Sequence, residues 1–349
     1  MPVRVAVVGL GMMGTTHFRA YQEIPGARVV AVCDLEGRKL AGDWSQAAGN
    51  IDTGAARQTD LSGIRTYADF GRLLRARDVD LVDLCVPTYR HATMAIRAMK
   101  AGKHVFCEKP MARTSRWARK MVRTAEERGR LLGVGHCLRF WPEYVILKER
   151  IDSGRYGPVR SATFTRLSAT PLWSWDNWLQ DQERSGAAAL DLHIHDTDTV
   201  QWFFGRPARV TAQGTFAPDG GVNHIVTTYH YENGPLVVAE GGWDFPGPFP
   251  FRMGAVVLFE SAAAEYHMLR TPTLSVYDAK TGKAENPPVP ALNGYTEELR
   301  SFVDCVAAGT PPTRITPPEA AAAVAIVEAE IKSVRTGRTV AVKYDPAVT

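Results

Sequence analysis

No run of five or six like charges occurs in this 349-residue chain, and its net charge is only +4, so the electrostatic footprint expected of a nucleic-acid binder is missing. Nor do eighteen successive residues escape charges and helix breakers, which excludes a helical membrane span. The closest approach, the alanine-rich 319–331 stretch, carries Glu319, Glu328 and Glu330. Cysteine is sparse: Cys33, Cys85, Cys107, Cys137 and Cys305 are odd in number and widely spaced, which predicts reduced thiols and a cytoplasmic setting rather than a disulfide framework. Internal repeats and low-complexity tracts are absent, and the proline-rich 286–290 segment is too short to link independent domains. The opening MPVRVAVVGLGMMG reads as a first strand and not as a secretory leader, because Arg4 interrupts its apolar run and no small-residue cleavage site accompanies it.

What is present is enough apolar sequence, 45% of residues, to bury a sizeable core, over a length that suggests two domains, divided here into 1–124 and 125–349. From Val3 to about Val134, short β-branched runs alternate with amphipathic helical windows near 14–23, 68–76, 89–100 and 114–128. Parallel strands joined by crossover helices require that alternation, so this half is predicted to be an α/β Rossmann domain, a doubly wound parallel sheet of about six strands. After Phe140 the texture changes. A helix at Pro142–Ser153 precedes long strand-like runs at 159–167, 209–215, 223–231, 236–243, 255–260 and 264–268, separated by Gly, Pro and Asn turns. These predict an α+β domain with a large, mostly antiparallel open sheet, interrupted by a helix at about 187–204 and closed by helices at about 294–309 and 317–336.

The first chemical signal is Gly9-Leu10-Gly11-Met12-Met13-Gly14, directly after an apolar strand and before a helical window. Gly9 permits a tight turn, Gly11 lets a pyrophosphate approach the backbone, and Gly14 lets the helix pack on the strand while the amides of that first turn, Met12 and Met13 included, face the phosphates. Asp34 ends the second strand twenty residues after Gly14, where a carboxylate accepts hydrogen bonds from adenosine ribose hydroxyls. Together these predict a dinucleotide. A carboxylate there repels a 2′-phosphate, which favours NAD; Arg38 and Lys39 on the following turn soften that preference and keep NADP as the second candidate. Read alone, Asp34 is equally a helix N-cap.

Two further clusters end strands at the same sheet edge: Cys85-Val86-Pro87-Thr88-Tyr89-Arg90-His91 and Cys107-Glu108-Lys109-Pro110. Open α/β sheets bind ligands there, so Val86, Pro87, Thr88, His91, Glu108 and Lys109 are expected beside the cofactor, with Lys109 projecting toward nicotinamide and substrate. The bland alternative for Glu108 and Lys109 is a solvated turn. A fourth cluster, Asp191-Leu192-His193-Ile194-His195-Asp196-Thr197-Asp198, lies in the second half. On a helix, Asp191 and His195 share a face at i, i+4, and a carboxylate beside an imidazole suits a general base. The alternatives are a structural ion pair or a metal site. The metal is disfavoured because His193 and His195 diverge on a regular helix, and no metal is expected.

These clusters, in this order, resemble the glucose-fructose oxidoreductase, inositol 2-dehydrogenase and rhizopine-catabolism (Gfo/Idh/MocA) family, and the likeness extends to the Tyr295-Thr-Glu-Glu-Leu-Arg-Ser-Phe302 segment. The resemblance implies a soluble NAD(P)-dependent oxidoreductase acting on a sugar, inositol or related polyol. It places Lys109, Asp191 and His195 around the reacting carbon: His195 as acid/base, Lys109 stabilising developing alkoxide, Asp191 orienting the substrate or the imidazole. It also implies that Trp175 or Trp178, within Trp173-Ser-Trp175-Asp-Asn-Trp178, lines the substrate pocket or merely packs its loop, and that Arg139 reaches substrate or joins the domains. A homodimer or homotetramer through the outer face of the second sheet follows from the same analogy. One departure is Gly186-Ala187, where many members carry paired glycines. Two other activities share this pattern: an NAD-dependent glycosidase using transient oxidation, and a non-enzymatic NAD or sugar sensor.

Overall fold

The computed structural model describes residues 1–49 and 58–345. The first half runs β1 (Val3–Val8), α1 (Met12–Gln22), β2 (Ala27–Cys33), α2 (Gly37–Leu40), β3 (Arg65–Tyr67), α3 (Phe70–Leu74), β4 (Leu81–Leu84), α4 (Thr88–Lys100), β5 (His104–Glu108), α5 (Ser115–Arg128) and β6 (Leu132–Gly135). Among the described residues these six strands form one sheet in the order β3-β2-β1-β4-β5-β6, every pair parallel. Helices cover both faces, so the central strands are buried on both sides and are mostly apolar; β1 is VRVAVV and β4 is LVDL, each with a single charged residue. The order reverses between β1 and β4, and the loops leaving their carboxyl ends splay apart to form the crevice where such sheets take ligands.

The second half adds α6 (Pro142–Asp152), β7 (Val159–Ala169), α7 (Gln182–Ser185), α8 (Ala187–Asp191), α9 (Ile194–Phe204), β8 (Arg209–Phe216), β9 (Val222–His230), β10 (Leu236–Phe245), β11 (Arg252–Phe259), β12 (Ala262–His267), β13 (Leu274–Asp278), β14 (Lys283–Glu285), α10 (Gly294–Ala308), α11 (Pro317–Thr336) and β15 (Val340–Ala341). Nine described strands form its sheet, β14-β13-β12-β11-β7-β10-β9-β8-β15, antiparallel except for the β7–β10 pair. Alternate residues of β7, Ala162, Phe164 and Arg166, turn to the buried face, where α8, α9 and α11 pack. Local signals fix the helix ends. Thr316 and Glu319 close a reciprocal capping box ahead of α11, and Gly337, at φ 66°, ends that helix.

Three sequence expectations shift. The boundary after residue 124 falls inside α5, and β6 beyond it pairs with β5, so the parallel sheet extends to Gly135. The single helix expected over 187–204 is two helices with a turn at Leu192-His193. A continuous helix would give the Asp191 carbonyl to the His195 N–H; instead Lys109 Nζ donates to that carbonyl at 2.8 Å. Strands β13, β14 and β15 were not foreseen, being short elements at or next to the sheet edges whose pairing is set by their neighbours. At the start of α8, Gly186 and Ala187 hold φ of 90° and 57°. The alanine thus holds a left-handed conformation that glycine adopts freely, at a cost of about 1–2 kcal/mol.

Candidate active site

A cleft of about 900 Å³ runs along the carboxyl ends of β1, β4 and β5 and under the second sheet. Its floor is the glycine loop. Gly9 has φ 88°, and a Cβ there would lie 2.4 Å from the Cys85 carbonyl oxygen; one on Gly14 would lie 1.7 Å from the Gly9 carbonyl oxygen. Gly14 accordingly lies behind the loop and does not line the cleft, whereas Gly11, Met12 and Met13 do. Among the described residues nothing lies within 4 Å of where a Gly11 Cβ would stand. No side chain caps α1, so its first amides are left for an anion. An open cradle before uncapped amides fits a dinucleotide pyrophosphate.

Asp34 closes that floor. Its carboxylate accepts from the Leu10 N–H at 2.7 Å and the Glu36 N–H at 2.9 Å. The cations expected to soften an NAD preference are engaged: Glu36 takes Lys39 Nζ at 2.6 Å and Arg38 at 2.7 Å. Although burial opposes it, these two cations hold the Glu36 carboxyl below the usual carboxylate range. Val86, Pro87, Thr88 and His91 line the cleft opposite. The His91 ring is buried between two carbonyls, Nδ1 2.8 Å from that of Pro110 and Nε2 2.7 Å from that of Val86, so it ties the two strand-end loops together.

Lys109 and Asp191 come together as expected, but not through the imidazole. Lys109 Nζ donates to the Asp191 carbonyl at 2.8 Å and lies 3.4 Å from Asp191 Oδ1. His195 lines the same cleft with its Nδ1 buried and unpartnered among the described residues. The i, i+4 carboxylate–imidazole pair read from the sequence is therefore not formed, because the turn at 192–193 separates the two residues. Burial first, then the charges of Lys109 and Arg166, push the His195 imidazole well below 6.5, leaving it neutral at neutral pH. A neutral ring beside a fixed ammonium can accept a hydroxyl proton while the ammonium stabilises the oxygen left behind.

The remaining ligand-rich residues go to separate partners. Asp196 pairs with Arg166 at 2.8 Å, and Asp198 with Arg139 at 2.8 Å. His193 Nε2 lies 3.3 Å from the Tyr229 hydroxyl and 3.5 Å from Glu330. Burial lowers His193 to about 3 and raises Glu330 to about 8, so both are uncharged. Arg139 is a correction. It is 1% exposed, bridges Asp198, Glu319 and the Arg314 carbonyl, all within the second half of the chain, and lies outside the cleft lining, so it is not placed to reach a substrate there. Trp175 and Trp178 both line the cleft.

Residues 3–136 match the family described as GFO_IDH_MocA, "Oxidoreductase family, NAD-binding Rossmann fold", and residues 144–263 match its C-terminal domain. Inositol 2-dehydrogenase of Rubrobacter xylanophilus is 30% identical over 266 positions, covering 69% of this chain and 70% of that protein. Inositol 2-dehydrogenase 2 of Saccharopolyspora erythraea is 29% identical over 364 positions, 99% of this chain and 97% of that one. The chain belongs to the Gfo/Idh/MocA oxidoreductase family. Its fold matches that of levoglucosan dehydrogenase solved with NADH, with a TM-score of 0.83 at 21% identity, covering 99% of this chain and 100% of that one. The first domain of this Gfo/Idh/MocA protein is thus an NAD-binding Rossmann domain, and the chain an oxidoreductase. Among the described residues no helix is long and apolar enough to cross a membrane.

Beneath the glycine loop of this oxidoreductase lies a buried cluster that sequence reasoning missed. His17 of α1 sits between Asp83 Oδ2 at 2.9 Å and Glu108 Oε1 at 3.1 Å, with Cys85 Sγ at 3.3 Å. Burial opposes its charge, but the Cys85 sulfur and the Asp83 carboxylate outweigh burial and raise His17 well above 6.5. Although burial raises it, the Glu108 carboxyl is held low by His17, while Glu298 is driven well above 4.5 by burial and by Glu108. The charged pair therefore fixes Glu108, whose other oxygen accepts the Lys109 N–H at 3.0 Å. His17→Leu strands a buried carboxylate and should destabilise by roughly 3–5 kcal/mol in urea unfolding, whereas Glu298→Gln, replacing a neutral acid, should cost less than about 1 kcal/mol. Equal losses would contradict this assignment of charge. The available signal was spacing: His17 falls three residues after Gly14, one turn into α1, on the face turned to the strand ends.

Proposed function

We propose that this protein is an NAD-dependent dehydrogenase that oxidises a secondary alcohol of a sugar, inositol or related polyol to a ketone, reversibly. One observation carries the reading: Lys109 from the end of β5 and His195 from the start of α9 border one cleft continuous with the glycine loop. The cofactor, when bound, supplies the nicotinamide carbon that exchanges hydride with the substrate. His195, neutral and partly enclosed, accepts the hydroxyl proton. Lys109 donates a hydrogen bond to the same oxygen and stabilises its developing negative charge. Asp191 holds the Lys109 ammonium through its carbonyl and carboxylate, and its remaining carboxylate oxygen accepts from a neighbouring hydroxyl. Asp34 and the ion-paired Arg38 and Lys39 support NAD over NADP, since no unpaired cation of that turn is left for a 2′-phosphate. Relatives named for inositol and a structural neighbour named for levoglucosan support the substrate class. Val226, Val256 and Leu258, 40–45% exposed on the sheet face turned from the helices, support a homodimer or homotetramer through that sheet.

The test is a panel of inositols, aldoses, deoxysugars and glycosides, each with NAD and with NADP, followed by absorbance of the reduced nicotinamide. NADH formed with at least one polyol, faster than NADPH, is the expected result. Silence across the panel removes the dehydrogenase reading, and sugar released from glycosides without net NADH replaces it with transient oxidation.

A further inference from the structure

The outer end of the cleft is built from groups ill suited to a free sugar. Besides Lys109, Asp191 and His195, the cleft lining includes Trp141, Trp173, Trp175, Trp178, Trp243 and Phe251. An inositol or free hexose carries hydroxyls around its whole edge, and each one buried without a partner is penalised. One or two rings would cover the apolar faces of such a molecule. Here there are six rings, of which Trp173 and Trp175 reach solvent, 37% and 49% exposed.

That outer surface is held in place. Trp175 lies on a loop in which two consecutive non-glycine residues, Asp176 and Asn177, adopt the left-handed region at φ 50° and 49°. Asp and Asn tolerate it best, yet a pair of them persists only where the surroundings enforce it. Arg184 supplies that enforcement. Its guanidinium lies 5.8 Å from the Trp175 ring centre and 5.4 Å from that of Tyr89, and it bonds the Asp176 carboxylate at 3.0 Å. Arg90 stacks on Tyr89 at 4.9 Å. Trp175, Arg184, Tyr89 and Arg90 thus form a ladder of alternating π faces and cations from the second domain to the start of α4. Since Tyr89, Arg90 and Trp175 all line the cleft, the ladder is the rim of the reaction chamber.

We propose that this rim is an aglycone subsite, so that the substrate is a glycoside bearing a flat aromatic group, with its sugar at Lys109 and His195 and its aglycone stacked on Trp175. Flat π systems stack on both tryptophan and guanidinium planes and present few hydroxyls to satisfy. The inference rests on the dehydrogenase reading for the sugar end alone. It is tested with saturating NAD on methyl and phenyl β-glucosides, β-galactosides and β-xylosides, each beside its free sugar and one disaccharide. The phenyl glycoside of the accepted sugar should exceed its methyl counterpart in kcat/KM by roughly tenfold or more, chiefly through KM. That ratio should fall toward one in Trp175→Ala and in Arg184→Gln. Phenyl glycosides should also quench tryptophan fluorescence without NAD, at concentrations where methyl glycosides do not. Equal kcat/KM for phenyl and methyl forms, a disaccharide preferred over both, or equal quenching overturns the subsite. NADH from free sugars with no aryl advantage sinks the subsite and leaves the dehydrogenase standing. Absence of NADH from every compound sinks the dehydrogenase, and the quenching comparison then still decides the subsite.

Discussion

Lys109→Ala and His195→Ala are each expected to lower turnover by about 10²-fold or more while NAD affinity changes little, because each removes a group acting on the reacting oxygen and neither belongs to the glycine loop. The pH dependence separates their roles. Oxidation requires unprotonated His195, and its imidazole is pushed well below 6.5 by burial and by the Lys109 and Arg166 charges. Activity is lost as pH falls through that depressed value, so kcat/KM for oxidation should stay level through neutrality and decline only below pH 6.5. Removing the Lys109 charge takes away one of the neighbouring charges that disfavour protonation of the ring. Residual activity of Lys109→Ala should therefore show its acid limb at higher pH than the parent, and His195→Ala should lose the limb. Steady-state rates between pH 4.5 and 9 with any accepted polyol provide the measurement. An acid limb centred above neutrality in the parent, or unchanged turnover in either variant, removes the residue from the chemistry.

Much of this site was legible because it is written in short backbone motifs. Gly9 and Gly14 each have a steric reason that the structure makes explicit, Gly11 faces open space, and Asp34 directly follows the last residue of β2. Lys109 could be placed because strand ends in a parallel sheet converge on one edge. The separation of Asp191 from His195 could not be foreseen, since helical spacing assumes an unbroken helix, whereas the Asp191 carbonyl is taken by Lys109, which is 82 residues away in sequence. Arg139 misled for a related reason. Its partner Asp198 lies 59 residues on, and no local pattern distinguishes an arginine buried in an ion pair from one aimed at a ligand. Arg166 did carry a signal: in β7 it occupies the inward position of the Ala162, Phe164, Arg166 alternation, and a charge on the apolar side of a strand requires a buried partner, here Asp196.

A valine at Gly11 should abolish most dinucleotide affinity without harming the fold, and a valine at Gly14 should harm both. Gly11 has φ −84° and ψ −161°, an extended conformation open to residues with a side chain, and none of the described residues lies within 4 Å of its absent Cβ. Gly11→Val should thus unfold within about 0.5 kcal/mol of the parent, as surface substitutions do. The same empty space is where a pyrophosphate must approach the first amides of α1. Branched methyls there hold the phosphates off the helix terminus, and a loss of about 10²-fold in NAD Kd corresponds to about 2.7 kcal/mol. Gly14 differs because its Cβ would stand 1.7 Å from the Gly9 carbonyl oxygen, a backbone atom that cannot swing aside. Gly14→Val must therefore push α1 off β1, with a loss on the order of 4 kcal/mol or more, and the phosphate site moves with the helix. Urea unfolding paired with NAD titration by fluorescence separates the two. Undiminished NAD affinity in Gly11→Val would mean that the phosphates lie elsewhere, and the placement of nicotinamide between Lys109 and His195 would fall with them.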